Sequence, residues 1–231
     1  MKHFLSAEYP SVAFGDYHSY GGSQQWCDNQ ILREVGCGVI AAVDLLIYLC
    51  RRRPCGQLLP FPSFSIEHYP LPFVPYRDFV KRIQKRYFPL IPHFGINGLF
   101  LAIGVNALFR RAKLPYRAQW AVPYSRIWDK MAEMLDQDIP VVFSVGPNFP
   151  LIWQKNMLPF YLSKSDGSLQ PGAKTRAHYV VVTGMDEQWL QISSWGKKYY
   201  ISRQEYLRYV RKHSSRLTSN ILYIRRTDHG A

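Results

Sequence analysis

Little in this chain of 231 residues could carry it into or through a membrane. The opening residues, Met1-Lys2-His3-Phe4-Leu5-Ser6-Ala7-Glu8, lack the apolar run that a signal peptide needs. The longest apolar stretch, Val39 to Cys50, is interrupted by Asp44 and falls short of the ~20 residues that span a bilayer. These absences predict a cytoplasmic protein with no transmembrane segment. Cysteine is scarce too: Cys27, Cys37, Cys50 and Cys55 are too few for a disulfide scaffold in a chain this long. They also lack paired C-x-x-C spacing, so no structural zinc is expected, and neither a metal nor a cofactor is called for. There is no internal repeat and no low-complexity tract.

Acidic residues are in short supply, 16 against 29 basic ones, for a net charge of +13. Such a surface favours anionic partners. The charges are nonetheless dispersed over Arg51-Arg52-Arg53, Arg110-Arg111, Lys197-Lys198 and Arg225-Arg226, without a ribonucleoprotein, helix-turn-helix or zinc-finger signature. The reading is a solvated basic surface that can meet an anionic partner rather than a dedicated nucleic-acid groove.

What is present is core-forming material. Hydrophobic residues make up 47% and aromatic residues 15% of the chain, enough for one folded domain spanning 1–231. Gly38 to about Leu49 has Val39, Ile40, Val43, Leu46 and Ile47 at helical spacing. Ala41, Ala42 and Leu45 make that segment apolar nearly all round, as a helix buried between layers would be. Pro54-Cys55-Gly56 should end it, and the proline-rich stretch from Leu59 to Pro75 reads as an extended connector. Helical patterns follow at about Tyr76 to Tyr87 and at Asn97 to Arg111, the latter with Leu99, Ile103 and Leu108 inward. A further helix capped by Ser125 carries Ile127, Met131, Met134 and Leu135 on one face.

The period then becomes strand-like. Pro140 to Val145, His178 to Thr183, Trp189 to Ser194, Lys198 to Ile201 and Asn220 to Arg225 read as strands, with a hairpin turn through 184–188. Ser202-Arg203-Gln204-Glu205 matches a capping box that opens a helix. A helical half of about 30–137 and an antiparallel sheet half of about 138–226 make an α+β fold with a cleft between the halves.

A thiol nucleophile needs help with ionisation, a base within hydrogen-bond reach that a third group orients, and donors for the oxyanion. Cys37 precedes the buried helix, where first-turn amides and the helix dipole favour a thiolate. Gly36 and Gly38 flank it and allow a tight turn and close approach of a substrate backbone. Cys27, Cys50 and Cys55 lack this setting. His178 opens a core strand, the place for a base facing the helix start, whereas His3, His18, His68, His93, His213 and His229 lie in loops, helices or tails.

Gln30, Gly36-Cys37-Gly38 with its buried helix, His178-Tyr179-Val180-Val181-Val182-Thr183-Gly184 and Ile192-Ser193-Ser194-Trp195-Gly196 together resemble a papain-like cysteine peptidase. The Cys-Gly and His-x-Val-Val-Val-x-Gly elements are most similar to the bacteriocin-processing (double-glycine leader) peptidases, and Ser-Trp-Gly resembles the Asn-Ser-Trp-Gly of papain. The resemblance covers roughly residues 30–50 and 138–207. It implies a papain-like fold and a cysteine-dependent peptidase or amidase that works through a thioester on a peptide or protein substrate. Cys37 would be the nucleophile, His178 the base and later acid, and Gln30 an oxyanion donor beside the Cys37 N–H. The family's glutamine usually lies six residues before the cysteine and here 37 − 30 = 7, so Gln24 and Gln25 are the fallbacks.

The family also places Asn or Asp behind the histidine, where this chain has serine. The spacing 194 − 178 = 16 favours Ser194, anchoring on Trp-Gly would choose Ser193, and Asp186 at the hairpin tip is a charged alternative that reads as a turn residue. A hydroxyl can hold the imidazole but cannot neutralise an imidazolium. That keeps open a second reading, a catalytically weak or inactive papain-like fold that binds a peptide or an anionic partner. Trp195 would cover the His–Ser bond. The aromatic segment Gly146 to Trp153 is either a substrate wall or lid, or a packed loop.

Overall fold

A computed structural model describes residues 1–51, 65–66 and 68–227. The chain is α+β. In order it forms β1 (His3–Phe4), β2 (Val12–Phe14), β3 (Tyr17–His18), α1 (Gln30–Val35), α2 (Cys37–Arg51), β4 (Leu71–Pro72), α3 (Phe73–Tyr87), α4 (Gly98–Arg111), β5 (Tyr116–Trp120) and α5 (Ile127–Asp136). There follow β6 (Val141–Val145), β7 (Leu158–Ser163), β8 (Leu169–Thr175), β9 (His178–Met185), β10 (Trp189–Ser194), β11 (Lys197–Ser202), α6 (Arg203–His213) and β12 (Ile221–Arg226). No helix among the described residues is long and apolar enough to cross a membrane.

The large sheet runs β5-β12-β6-β9-β10-β11-β7-β8, with β1 paired beside it to the end of β9. Every pairing in it is antiparallel. A second, three-stranded sheet, β3-β2-β4, lies in the N-terminal part. Helix α2 packs against β9, β6, α3 and α4. Every residue of α2 from Gly38 to Cys50 is buried, Asp44 included, as its all-round apolar sequence predicts. The Pro54-Cys55-Gly56 stop and residues 59–64 and 67 of the proline-rich connector lie outside the described residues. The connector's last residues, however, already belong to α3, which begins at Phe73 with Pro75 in its first turn, where a missing N–H costs nothing.

Helix α4 buries Leu108 as expected but turns Leu99 and Ile103 outward. Leu99 is 65% and Ile103 61% exposed, while Leu101, Val105, Leu108 and Phe109 are buried. The inner face carries Gly98 and Gly104. A Cβ on Gly98 would stand 1.9 Å from the Trp120 ring, and one on Gly104 2.3 Å from that of Phe88. The small residues let α4 sit close on these aromatics, and packing distance outweighs the apolar count. Ser125 lies in a short 3-10 turn (Tyr124–Arg126), and α5 begins without a side-chain cap. Ser202 does cap α6, accepting from the Glu205 N–H at 3.4 Å, but the Glu205 carboxylate accepts from the Tyr161 hydroxyl at 2.9 Å rather than closing the box. β5 (Tyr116-Arg117-Ala118-Gln119-Trp120) does alternate apolar and polar residues, a strand signal the sequence reading passed over, whereas β7 and β8 carry no clear alternating pattern. β7 and β8 each contain a proline, Pro159 and Pro171, and β8 lies at the sheet edge, where a missing N–H is tolerated.

Candidate active site

Cys37 is the first residue of α2, directly after Gly36, whose carbonyl accepts the N–H groups of Val39 and Ile40 at 3.0 and 3.1 Å. The sulfur accepts from the Tyr179 N–H at 3.5 Å. Gly38 is needed for packing rather than for substrate approach: a Cβ there would meet Ile96 at 2.8 Å and the Tyr179 ring at 3.1 Å. By admitting β9 so close to the helix start, Gly38 brings the residue after His178 onto the thiol. Cys37 is partly exposed, whereas Cys27 and Cys50 are buried. Burial pushes the Cys27 thiol up to about 11, as suits an inert group. Cys55 lies outside the described residues.

His178 opens β9 opposite Val145 of β6 and is 6% exposed. Its Nε2 lies 2.8 Å from Ser194 Oγ. With the proton on Nε2 donated to that hydroxyl, Nδ1 carries the lone pair and can accept a proton. The indole of Trp195 stacks on the imidazole, ring centres 4.4 Å apart and planes 18° from parallel. Trp195 and Gly196 form the two-residue hairpin between β10 and β11, with φ of +50° and +73°. Positive φ at both positions is what the mirror-image hairpin turns demand, yet a tryptophan is strained there. Ser193, on the other face of β10, donates to the Tyr20 carbonyl at 2.8 Å. Asp186 is a turn residue, accepting the N–H groups of Gln188 and Trp189. Ser194 is therefore the group against the imidazole, and neither Ser193 nor Asp186 is.

Gln30 is not at the site. It lies exposed in the first turn of α1, and its side-chain amide donates to Glu34 Oε1 at 2.7 Å. Gln25 is exposed as well. Gln24, buried on the short 3-10 turn Gln24–Trp26, does line the Cys37 cavity. Its amide nitrogen donates to the Arg33 carbonyl at 2.8 Å and more loosely to that of Glu34 at 3.3 Å. The loop before α1 is longer than a count from Gln30 allows for, so the glutamine lining the cysteine's cavity comes from further upstream.

The same cavity, lined by Cys37, His178, Ser194, Trp195, Gln24 and Asp44 among others, has about 20 Å³ of free space, room for a water molecule. Asp44 is a feature that sequence reading treated only as an interruption. Seven residues after Cys37, two turns along the same helix face, it accepts from the Gly22 N–H at 2.8 Å and the Tyr76 hydroxyl at 2.7 Å. It thereby ties the Gly21–Gln24 loop, and with it Gln24, to α2. A lone carboxyl inside an apolar helix at i+7 from the thiol was the available signal. The 146–153 segment does not line the cavity. Asn148 anchors it through Tyr209 and Asn156, and Phe149, Ile152 and Trp153 are exposed.

Desolvation dominates the electrostatics of the cavity. Burial pushes the Cys37 thiol above its ordinary range, opposed by backbone N–H groups from Tyr179, Gly38 and Cys37 itself. Burial also pushes His178 down from 6.5 to about 3. Both groups are neutral near pH 7, and no hydrogen bond joins them among the described residues. Desolvation likewise lifts the Asp44 carboxyl to about 6 against the pull of its hydrogen bonds. Nothing among the described residues groups three or more potential metal ligands. Compared with protein-family models, curated proteins and solved structures, the chain matches none of them.

Proposed function

We propose that the protein is a papain-like cysteine hydrolase, a peptidase or amidase, with Cys37 as nucleophile and His178 as general base. The observation that carries this reading is the convergence on one cavity of a helix-start thiol and an imidazole whose Nε2 is held by Ser194 beneath Trp195. In the proposed reaction Cys37 Sγ attacks the acyl carbon while His178 Nδ1 takes the thiol proton. The carbonyl oxygen, now negative, accepts from the Cys37 N–H and, once the Gln24 amide turns from the Arg33 and Glu34 carbonyls, from the Gln24 side chain. Collapse breaks the acyl bond, His178 returns the proton to the leaving amine, and a thioester remains. Water then attacks the thioester with His178 again as base, freeing the acid and the thiol. Because the resting pair is neutral, proton transfer accompanies attack rather than preceding it.

A second reading, a papain-like fold that binds a peptide or an anionic partner without turning it over, is favoured by the uncharged Ser194 behind an imidazole that resists protonation. One experiment separates the two: treat the protein with a thiol-directed electrophile and map the adduct by mass spectrometry. Selective labelling of Cys37 that is lost in His178→Ala is expected for the hydrolase. Equal labelling of Cys27, Cys50 and Cys55, or labelling indifferent to His178→Ala, decides for the binding protein.

A further inference from the structure

Away from Cys37, the outer face of α6 forms a second concavity, of about 440 Å³, lined by Tyr124, Gln204, Leu207, Arg208, Arg211 and Arg216. It shares no residue with the thiol cavity. Gln204, Leu207, Arg208 and Arg211 stand on one face of α6 by their three- and four-residue spacing, while Tyr206, Tyr209 and Val210 bury the other face. Arg216 reaches the same concavity from the segment after the helix, its guanidinium 5.4 Å from the centre of the Tyr124 ring.

Three guanidiniums thus line one pocket without a carboxylate in its wall. None of the three takes part in an ion pair among the described residues, although Arg77, Lys81 and Lys130 elsewhere all do. The negative end of the α6 dipole accounts for a cation at Arg211 in the last turn. It does not account for Arg216, which is outside the helix and joins the two helical arginines. The Tyr124 ring, under the Arg216 guanidinium, forms part of the wall, while its hydroxyl is buried away from solvent. Gathering like charges in one pocket is unfavourable unless an anion offsets it, and the planar fork of arginine matches the paired oxygens of a phosphate. Leu207 and Leu217, 39% and 66% exposed, add apolar contact at the wall and beside Arg216.

We propose that this pocket is a binding site for a phosphate-type anion, held by Arg208, Arg211 and Arg216. The phosphate comes either from a soluble phosphate compound or from an anionic lipid headgroup. The site does not depend on the reading of Cys37, and a Cys37→Ser variant binds as the wild type does.

The test uses the full chain at low ionic strength. Sodium pyrophosphate is titrated calorimetrically, and in parallel the protein is sedimented with phosphatidylcholine vesicles with and without phosphatidylglycerol. Arg208→Gln and Arg216→Gln are expected to weaken binding about tenfold or more, whereas Arg110→Gln, an equal loss of charge at the exposed end of α4, changes it by less than about twofold. Saturable pyrophosphate binding with this pattern supports the site with a soluble ligand. Binding to phosphatidylglycerol vesicles alone, with the same dependence on Arg208 and Arg216, supports it with a headgroup. Absence of binding to both probes, or an equal loss in Arg110→Gln, overturns it, since the second result is what diffuse charge attraction would give.

Discussion

Replacing Ser194 by alanine removes one oxygen and tests the orientation of the base. Ser194 is 6% and His178 6% exposed, and their 2.8 Å contact is the hydrogen bond that fixes the imidazole from behind. Without it, a buried ring nitrogen has no protein partner, a loss of about 1–3 kcal/mol. If that loss is expressed in the proton transfer from Cys37, labelling of the thiol by an electrophile slows about 5- to 150-fold. Ser193→Ala is the matched control. It deletes an equally buried hydroxyl that donates to the Tyr20 carbonyl at 2.8 Å, on the opposite face of the same strand. Both variants should lose about 1–3 kcal/mol in denaturant unfolding, but only Ser194→Ala should slow the second-order labelling of Cys37 measured by intact-mass spectrometry. Equal labelling rates in the two variants, at equal loss of stability, would refute the assignment of Ser194 as the positioning residue.

With the thiol raised and the imidazole depressed, labelling of Cys37 should climb steadily with pH through and beyond the ordinary thiol range; a plateau reached by about pH 5, the mark of a preformed thiolate–imidazolium pair, would contradict electrostatics dominated by desolvation. Stability should carry two opposing pH dependences. His178, depressed from 6.5 to about 3, contributes stability present above pH 6.5 and lost as pH falls through about 3, of order 5 kcal/mol in full, so His178→Gln should flatten the acid limb of the unfolding curve. Asp44, raised from 3.8 to about 6, contributes stability present below pH 3.8 and lost as pH rises through about 6, about 3 kcal/mol in the opposite sense; its carboxyl carbon, followed by NMR, should titrate near 6 rather than near 4. At Trp195, φ of +50° makes alanine a worse replacement than glycine: both lose the stack on His178, but glycine also sheds about 1–2 kcal/mol of left-handed strain, and in both variants water reaching the imidazole should raise its pKa in an NMR titration.

Much of the frame was legible from the chain alone because it depends on local periodicity. An apolar run too evenly hydrophobic for a surface helix could only be a central one, and α2 is buried from Gly38 to Cys50. The β-branched run after His178 could only be an inner strand, and β9 is flanked on both sides. The two-residue period of β10 puts Ser194 and Ser193 on opposite faces, so the sequence separation of 16 and the strand parity together point to Ser194 as the residue against the imidazole.

What the tertiary structure alone decided depends on which faces meet and how closely. Helix α4 has apolar residues on two faces, and periodicity cannot rank them; the glycines at 98 and 104 do, because they let Trp120 and Phe88 come within van der Waals reach of the backbone. Gln24 rather than Gln30 lines the thiol cavity because α1 turns Gln30 outward to Glu34, and because Asp44, from inside α2, ties down the loop that carries Gln24. The joining of Arg216 to Arg208 and Arg211 is invisible in a list of scattered basic residues, since it depends on the path the chain takes after α6. The direction in which the Cys37 and His178 pKa values move is likewise a property of the assembled cavity, since desolvation has no counterpart in the order of residues.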